Sequence, residues 1–294
     1  MPSRNLIASD GSVVTKHLVS CLPDLRKVGA REVTLARVFN VATVGAVSDE
    51  TKQHFESLLR KQAGVLETAG YATRVELPWG VPFLEIADLA EKIDASLIAV
   101  ASHGRSLVTQ TMLGSTARAI VEHARRPVLI VRLALRDTAA GKTECALACA
   151  DIFYRVLFAT DFSETAERAF QFLEHIVRET RAPVTLLHVQ DRSHIGGHLQ
   201  DRLEEFNRID TARLERQRER LLAVGATDVD IAVPYGHPSQ EIIQRAAAKD
   251  HSLVVMGTHG RGFVEELLLG SVALKIARRV SILMTAYKIF TLLR

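Results

Sequence analysis

Leu253-Val254-Val255-Met256-Gly257-Thr258-His259-Gly260-Arg261-Gly262-Phe263-Val264-Glu265-Glu266-Leu267-Leu268-Leu269-Gly270-Ser271-Val272-Ala273 is the stretch whose reading decides the fold. Its first four residues form a short apolar run that reads as a buried strand. Val272 to Ala277 reads as a helix. Between them lie glycines spaced Gly-x2-Gly-x9-Gly-Ser, at Gly257, Gly260 and Gly270, with Ser271 following. Glycine lacks a Cβ, so the backbone turns sharply there and its N–H groups approach a bound anion closely. Ser271 reads as the N-cap of the following helix. The unpaired N–H groups of a helix's first turn attract negative charge. Strand, glycine-bearing loop and serine-led helix together describe a phosphate cradle.

A search for internal repeats extends this outward. Ser102-His103-Gly104-Arg105 matches Thr258-His259-Gly260-Arg261 at an offset of 156 residues, and Leu113-Gly114-Ser115 matches Leu269-Gly270-Ser271 at the same offset. Gly80-Val81-Pro82 and Gly236-His237-Pro238 share it. Ile7-Ala8-Ser9-Asp10-Gly11-Ser12 matches Phe158-Ala159-Thr160-Asp161-Phe162-Ser163 at 151, as Val33-Thr34-Leu35 matches Val184-Thr185-Leu186. Two copies of one domain are present, and the second gains five residues between its second and third strands. The expected domains are 1–132 and 152–294, joined by a linker over 133–151 that ends in a helical turn.

Each copy alternates apolar strands with helical patterns, which predicts a parallel sheet covered on both faces. Strands are expected at Leu6–Ala8, Val33–Phe39, Thr73–Leu77, Leu97–Val100 and Val128–Val131. In the second copy they fall at Val156–Ala159, Val184–Val189, Asp228–Val233, Leu253–Met256 and Leu283–Ile289. A charged helix spans Leu199–Val224 and stops at Gly225. Its mixed charges read as a solvated face.

The glycine spacing is neither a Walker loop nor a dinucleotide fingerprint. Together with Thr258-His259-Gly260-Arg261, it resembles the nucleotide-binding signature of the universal stress protein family. The resemblance implies two tandem flavodoxin-like (adenine-nucleotide alpha hydrolase-like) α/β domains, each a five-stranded parallel sheet. It implies ATP or AMP as ligand, with Mg2+ able to accompany the phosphates, and a stress-response regulatory or binding role. It further implies that the halves pair through their last strands as a pseudo-dimer, with a homodimer also open. A slow ATPase using His259 and Asp161, or a nucleotide-free scaffold, are the alternatives.

Ligands of open parallel sheets lie beyond the carboxyl ends of the strands, at the switch in strand order. That places Thr160-Asp161, Val189 and Gly257 at one edge. By the resemblance, Ala159, Thr160 and Asp161 border adenine and ribose, the Val189 backbone meets the base edge, and Met256 and Gly257 line the ribose side. Gly260, Arg261, Gly270, Ser271, Val272 and Ala273 hold the phosphates, with His259 beside them. Each has a plainer reading: Asp161 as a cap, His259 as a turn residue, Arg261 as a solvated cation. The first copy offers Asp10, Val38, Gly104, Arg105, Gly114, Ser115 and Thr116 as a second site. There Ala101 replaces Gly257, and its methyl is expected to crowd the ribose or phosphate or to force the backbone away from the left-handed region. The second copy instead lacks the proline that opens the last strand of the first, Pro127.

Hydrophobic residues make up 47% and charged residues 24%, and net charge is +3. That is a globular composition, without the dense basic stripe expected of a nucleic-acid binder. No apolar run approaches the roughly 20 residues that cross a bilayer, and no signal-like segment opens the chain, so a cytoplasmic protein without membrane partner is expected. Cys21, Cys145 and Cys149 lack a scaffold or redox spacing, which suits a reducing compartment. Asp191, His194 and His198 supply metal-ligand types, but Gly196 and Gly197 between them read as a loop rather than a ligand-bearing helix. The same segment echoes a His-Ile-Gly-His motif but follows the second strand instead of the first. No nucleophile–base pair is evident.

Overall fold

A computed structural model describes residues 3–40, 48–102, 113–132, 134–137, 143–146, 151–195, 201–248, 251–259, 270–280 and 282–286. The chain divides into two compact units between Ala150 and Asp151. Each is an α/β domain with a five-stranded parallel sheet.

In the first unit the strands are β1 (Arg4–Ala8), β2 (Glu32–Ala36), β3 (Ala72–Glu76), β4 (Leu97–Ala101) and β5 (Val128–Val131), with helices α1 (Val13–Cys21), α2 (Asp49–Thr68), α3 (Pro82–Lys92) and α4 (Ser115–His123). Parallel pairing gives the order β3-β2-β1-β4-β5. The second unit repeats this with β6 (Val156–Ala159), α5 (Glu164–Thr180), β7 (Val184–Leu187), α6 (Leu203–Ala223), β8 (Val229–Ala232), α7 (Pro238–Ala248), β9 (Leu253–Gly257), α8 (Ser271–Ala277) and β10 (Ile282–Ala286). Its order is β8-β7-β6-β9-β10. In both units the chain runs outward from the first strand, then crosses over to the fourth. The switch point therefore falls between β6 and β9, and between β1 and β4.

The central strands are apolar on both faces because helices cover both. Every residue of β6 is buried, as are the first four of β9. Helix α5 shows why the sequence folds so locally. Ser163 accepts from the Ala166 amide as N-cap, Glu164 and Glu167 lie in the first turn, and Arg181 closes the far end in the left-handed region at φ 56°. Ala166, Ala169, Phe170, Leu173, Ile176 and Val177 form its buried stripe. Phe170 meets Phe158 of β6 edge to face, with centroids 5.3 Å apart. Burying such a side chain contributes about 1.5–3 kcal/mol.

The structure departs from the sequence expectations in the linker and at the ends of two strands. The segment 133–151 contains an antiparallel hairpin, Ala134–Asp137 against Thr143–Ala146, and residues 147–150, where its helical turn is expected, lie outside the described residues. Strands two and seven end early: after β2 and β7 the chain steps sideways into two-residue ladders, Phe39–Asn40 with Trp79–Gly80 and Gln190–Asp191 with Tyr235–Gly236. The last strand closes at Ala286 in register with Gly257, and the rest of its expected span lies outside the described residues. The charged helix ends at Ala223 with Val224 as its C-cap, and Gly225 follows at φ 105°.

Candidate functional site

The carboxyl ends of β6, β7 and β9 converge as the topology requires. After Ala159, the buried Thr160 donates its amide to the Leu187 carbonyl at 2.9 Å. The chain then turns sharply: Asp161 Oδ1 accepts from the Ser163 amide at 3.1 Å, the Thr160 hydroxyl oxygen accepts from the Phe162 amide at 2.9 Å, and Phe162 takes φ 60°. Ser163 is thus the cap, and Asp161 shapes the turn ahead of it. Asp10 plays the same part in the first unit, accepting from the Ser12 amide at 2.9 Å and the Thr15 hydroxyl at 2.8 Å.

Beside this turn β7 presents an open main-chain edge. The amides of His188 and Gln190 donate outward, to Ala232 and Pro234 at 3.1 and 2.9 Å. Successive residues of an extended strand alternate sides, so the peptide groups of Val189 face the opposite way, toward the place that β6 vacates after Thr160. Val189 is buried, yet neither its N–H nor its C=O has a hydrogen-bond partner among the described residues. Buried main-chain groups are nearly always paired. An unpaired donor and acceptor side by side at a switch point fit the edge of a planar heterocycle. Val38 stands in the same position in the first unit, between Arg37 and Phe39, whose amides donate to Glu76 and Pro78.

On the other side of the switch point, Met256 is buried and Gly257 ends β9. A Cβ on Gly257 would sit 2.8 Å from Thr165 Oγ1 and 3.0 Å from the Ala166 amide nitrogen. This glycine is required by the first turn of α5. Ala101 stands at the matching end of β4 in the first unit. His259 is a buried turn residue, with its Nδ1 3.0 Å from the Thr258 hydroxyl and its carbonyl accepting from the hydroxyls of Ser163 and Thr165.

The chain leaves at His259 and returns at Gly270, whose amide donates to the Thr258 carbonyl at 2.9 Å. Gly114 closes onto Ser102 in the same way, at 2.7 Å. Gly260 and Arg261, like Gly104 and Arg105, lie outside the described residues. The N-cap of α8 is Gly270 and not Ser271, which is the first helical residue. Ser271 is exposed, and its hydroxyl makes no hydrogen bond among the described residues. Capping therefore does not account for it. Val272 is half-buried and Ala273 buried behind it. Ser115 and Thr116 open α4 alike, after Gly114.

The Asp191 segment holds no cluster of three metal-ligand side chains among the described residues. Asp191 accepts from Ser193 and lies 3.0 Å from exposed His194 Nδ1. Partial burial pushes its carboxyl up, but the bonds from Ser193 and His194 outweigh this and hold it below the ordinary carboxylate range. His198 is outside the described residues. No helix among the described residues is long and apolar enough to cross a membrane.

Sequence reasoning passed over His188, Asp210 and Phe162. His188 Nδ1 lies 2.8 Å from the Thr160 carbonyl oxygen, and Asp210 reaches the ring from α6. The only sequence signal was the replacement of Arg37 by His188 between copies.

The profile of the Universal stress protein family matches residues 1–132 and again 153–288. Among curated proteins, the chain is 30% identical over 147 residues to Universal stress protein MJ0577 of Methanocaldococcus jannaschii, covering 44% of this chain and 90% of that protein. It is 26% identical over 244 residues to a universal stress protein of Mycolicibacterium smegmatis, covering 81% of this chain and 77% of that one. Among solved structures, a universal stress protein from Archaeoglobus fulgidus superimposes with a TM-score of 0.77 at 26% identity, over 98% of this chain and 99% of the other.

Proposed function

The chain belongs to the universal stress protein family, and from that premise we propose that its second unit binds ATP or AMP as part of a stress-response regulatory role. The observation that carries this reading is the unpaired peptide edge of Val189 beside the Thr160–Asp161 turn. In this reading the adenine edge pairs with Val189, and Ala159 to Asp161 border the ribose with Met256 and Gly257. The phosphates lie toward Ser271, Val272 and Ala273, with Gly260, Gly270 and Arg261 in the loop that precedes them and His259 at its root. Mg2+ would be shared with the phosphate oxygens and not held by a protein carboxylate cluster.

The first unit has the matching edge at Val38 and an exposed Ser115, and we assign it the weaker site. A pseudo-dimer of the two halves, a homodimer of chains and a cytoplasmic location belong to the same proposal. Sedimentation and fractionation test those parts.

Mass spectrometry of ligand released from the purified chain, with calorimetric titration of ATP, AMP and other nucleotides, tests the binding. Adenine nucleotides are expected to bind, and other bases more weakly, because the base edge is read by one donor and one acceptor. Equal affinity for all bases, or for none, ends this reading.

A further inference from the structure

Behind the Val189 edge, the two units are built differently. In the second, the His188 ring stands between two acceptors: Nδ1 is 2.8 Å from the Thr160 carbonyl oxygen, and Nε2 is 3.4 Å from Asp210 Oδ2 on α6. A carbonyl oxygen only accepts, so Nδ1 carries a hydrogen; an ionised carboxylate also only accepts, and favours one on Nε2. The ring form that suits both partners is the imidazolium.

Its surroundings are closed. His188 and Asp210 are each 8% exposed. Gln190 Nε2 donates to Asp210 Oδ2 at 2.7 Å, and Arg213 donates to Oδ1 at 3.3 Å. The Phe162 ring lies 4.7 Å from the imidazole, with the Arg213 guanidinium 5.2 Å from the centroid of that phenyl ring. Among the described residues, the charged groups facing His188 include Asp210 and Arg213 from α6, and Asp161, whose neighbours Thr160 and Phe162 both touch the ring.

The first unit fills the same place with other chemistry. Buried Leu59, Gln62 and Leu66 of α2 correspond to Leu214, Gln217 and Leu221 of α6, 155 residues later. That register sets Phe55 at the position of Asp210 and Leu58 at that of Arg213, while Gly11 and Arg37 match Phe162 and His188. The Arg37 guanidinium lies 3.5 Å from the Phe55 ring centroid and donates to the Asp10 carbonyl. A Cβ on Gly11 would meet Leu58 Cδ2 at 2.7 Å. At this place both units set an arginine over a phenylalanine, with the partners exchanged between strand end and helix. None of Gly11, Arg37, Phe55 and Leu58 titrates near neutrality.

We infer that His188, as the imidazolium paired with Asp210, is a positioning residue for adenine nucleotide in the second unit, an inference that rests on the reading above. Its ring ties the end of β7 to the end of β6 and so fixes the distance between the Val189 peptide and the Thr160–Asp161 turn. Loss of the second proton leaves the Nδ1–H bond to Thr160 but sets the Nε2 lone pair against the Asp210 carboxylate, so the ring loses its anchor on α6 and the tie loosens. Affinity is therefore highest on the acid side and falls as rising pH takes the second proton from the ring. The first unit, held by Arg37, has no such dependence.

The test is titration of the full chain with ATP from about pH 5.5 to 8.5, a range that brackets the value of an unperturbed imidazole, beside His188→Gln and Asp210→Asn, with melting temperature recorded at each pH. The nucleotide's own phosphate titrates in this window, so the quantity read is the affinity of the native chain relative to each variant. The glutamine amide still donates to Thr160 but cannot change charge. The native-to-variant ratio is expected to fall at least about fivefold from acid to alkaline pH, the lower end of ordinary coupling. Should His188→Gln fail to fold, Asp210→Asn gives the same comparison with the Thr160 bond left in place. A constant ratio in proteins that bind ATP overturns the positioning role and leaves the nucleotide reading standing. A native chain that binds no nucleotide at any pH removes both.

Discussion

The amide of Gly270 donates to the carbonyl of Thr258 at 2.9 Å, and a Cβ on Gly270 would stand 2.9 Å from that same oxygen. The glycine that looks like a phosphate contact in the sequence is also the clasp that closes the loop between β9 and α8. A branched residue at this position would break the clasp before it met any ligand.

Gly270→Ala is therefore expected to lower the stability of the second unit by about 1–3 kcal/mol, the usual cost of overpacking. Thermal or urea unfolding measures it. Ser271→Ala separates ligand from structure, because that hydroxyl is exposed and unbonded among the described residues. Its stability should change by less than about 0.5 kcal/mol, while ATP affinity falls by about the worth of one hydrogen bond to a charged group, 1.5–3 kcal/mol. Unchanged affinity in Ser271→Ala would remove this serine from the phosphate site.

Gly257→Ala should likewise destabilise the second unit by about 1–3 kcal/mol, because the added methyl meets Thr165 and the Ala166 amide. The reverse change in the first unit, Ala101→Gly, should leave its nucleotide affinity where it was. A gain of binding in Ala101→Gly would show that the methyl obstructs a ligand.

Val189→Pro removes the inward-facing N–H while suiting an extended backbone. Adenine-nucleotide affinity should drop by tenfold or more, about 1.4 kcal/mol, with the melting temperature used to confirm folding. Val38→Pro in the first unit should leave the main binding event unaltered. Equal losses in the two variants would contradict a dominant second-unit site.

Tyr71 supplies a pH-dependent prediction for the first unit. Burial, opposed by the nearby Arg26 and Arg31 charges, pushes its phenol up to about 12, and its hydroxyl donates to the buried Leu22 carbonyl at 2.7 Å. A phenol raised in the folded state contributes stability that is complete below its unfolded value, about 10. That contribution disappears as pH climbs through the folded value, about 12. Tyr71→Phe should be less stable than the native chain at neutral pH and lose less on going from pH 10 to 12, a contrast that alkaline unfolding curves would reveal.

How much of this was readable beforehand depended on the kind of signal. The buried run Leu253–Met256 and its partner Val156–Ala159 are continuous and apolar, so their strand character and central place followed from pattern alone. The duplicated offsets fixed the two domains independently of any one motif. Ser271 was misread as a cap, because capping preference is local, whereas the helix start is set by the long-range bond between Gly270 and Thr258. The room that Gly257 leaves for the first turn of α5 was not legible, because sequence does not show which way a missing Cβ points. The His188–Asp210 pair spans two elements with no fixed spacing, and only the geometry of β7 against α6 joins them.

The most direct measurement is diffraction from crystals of the full chain soaked with ATP. The account predicts density in the second unit, the base hydrogen-bonded to both peptide groups of Val189 and the phosphates extending toward Ser271. Stronger density in the first unit, or a base lying away from Val189, would contradict it.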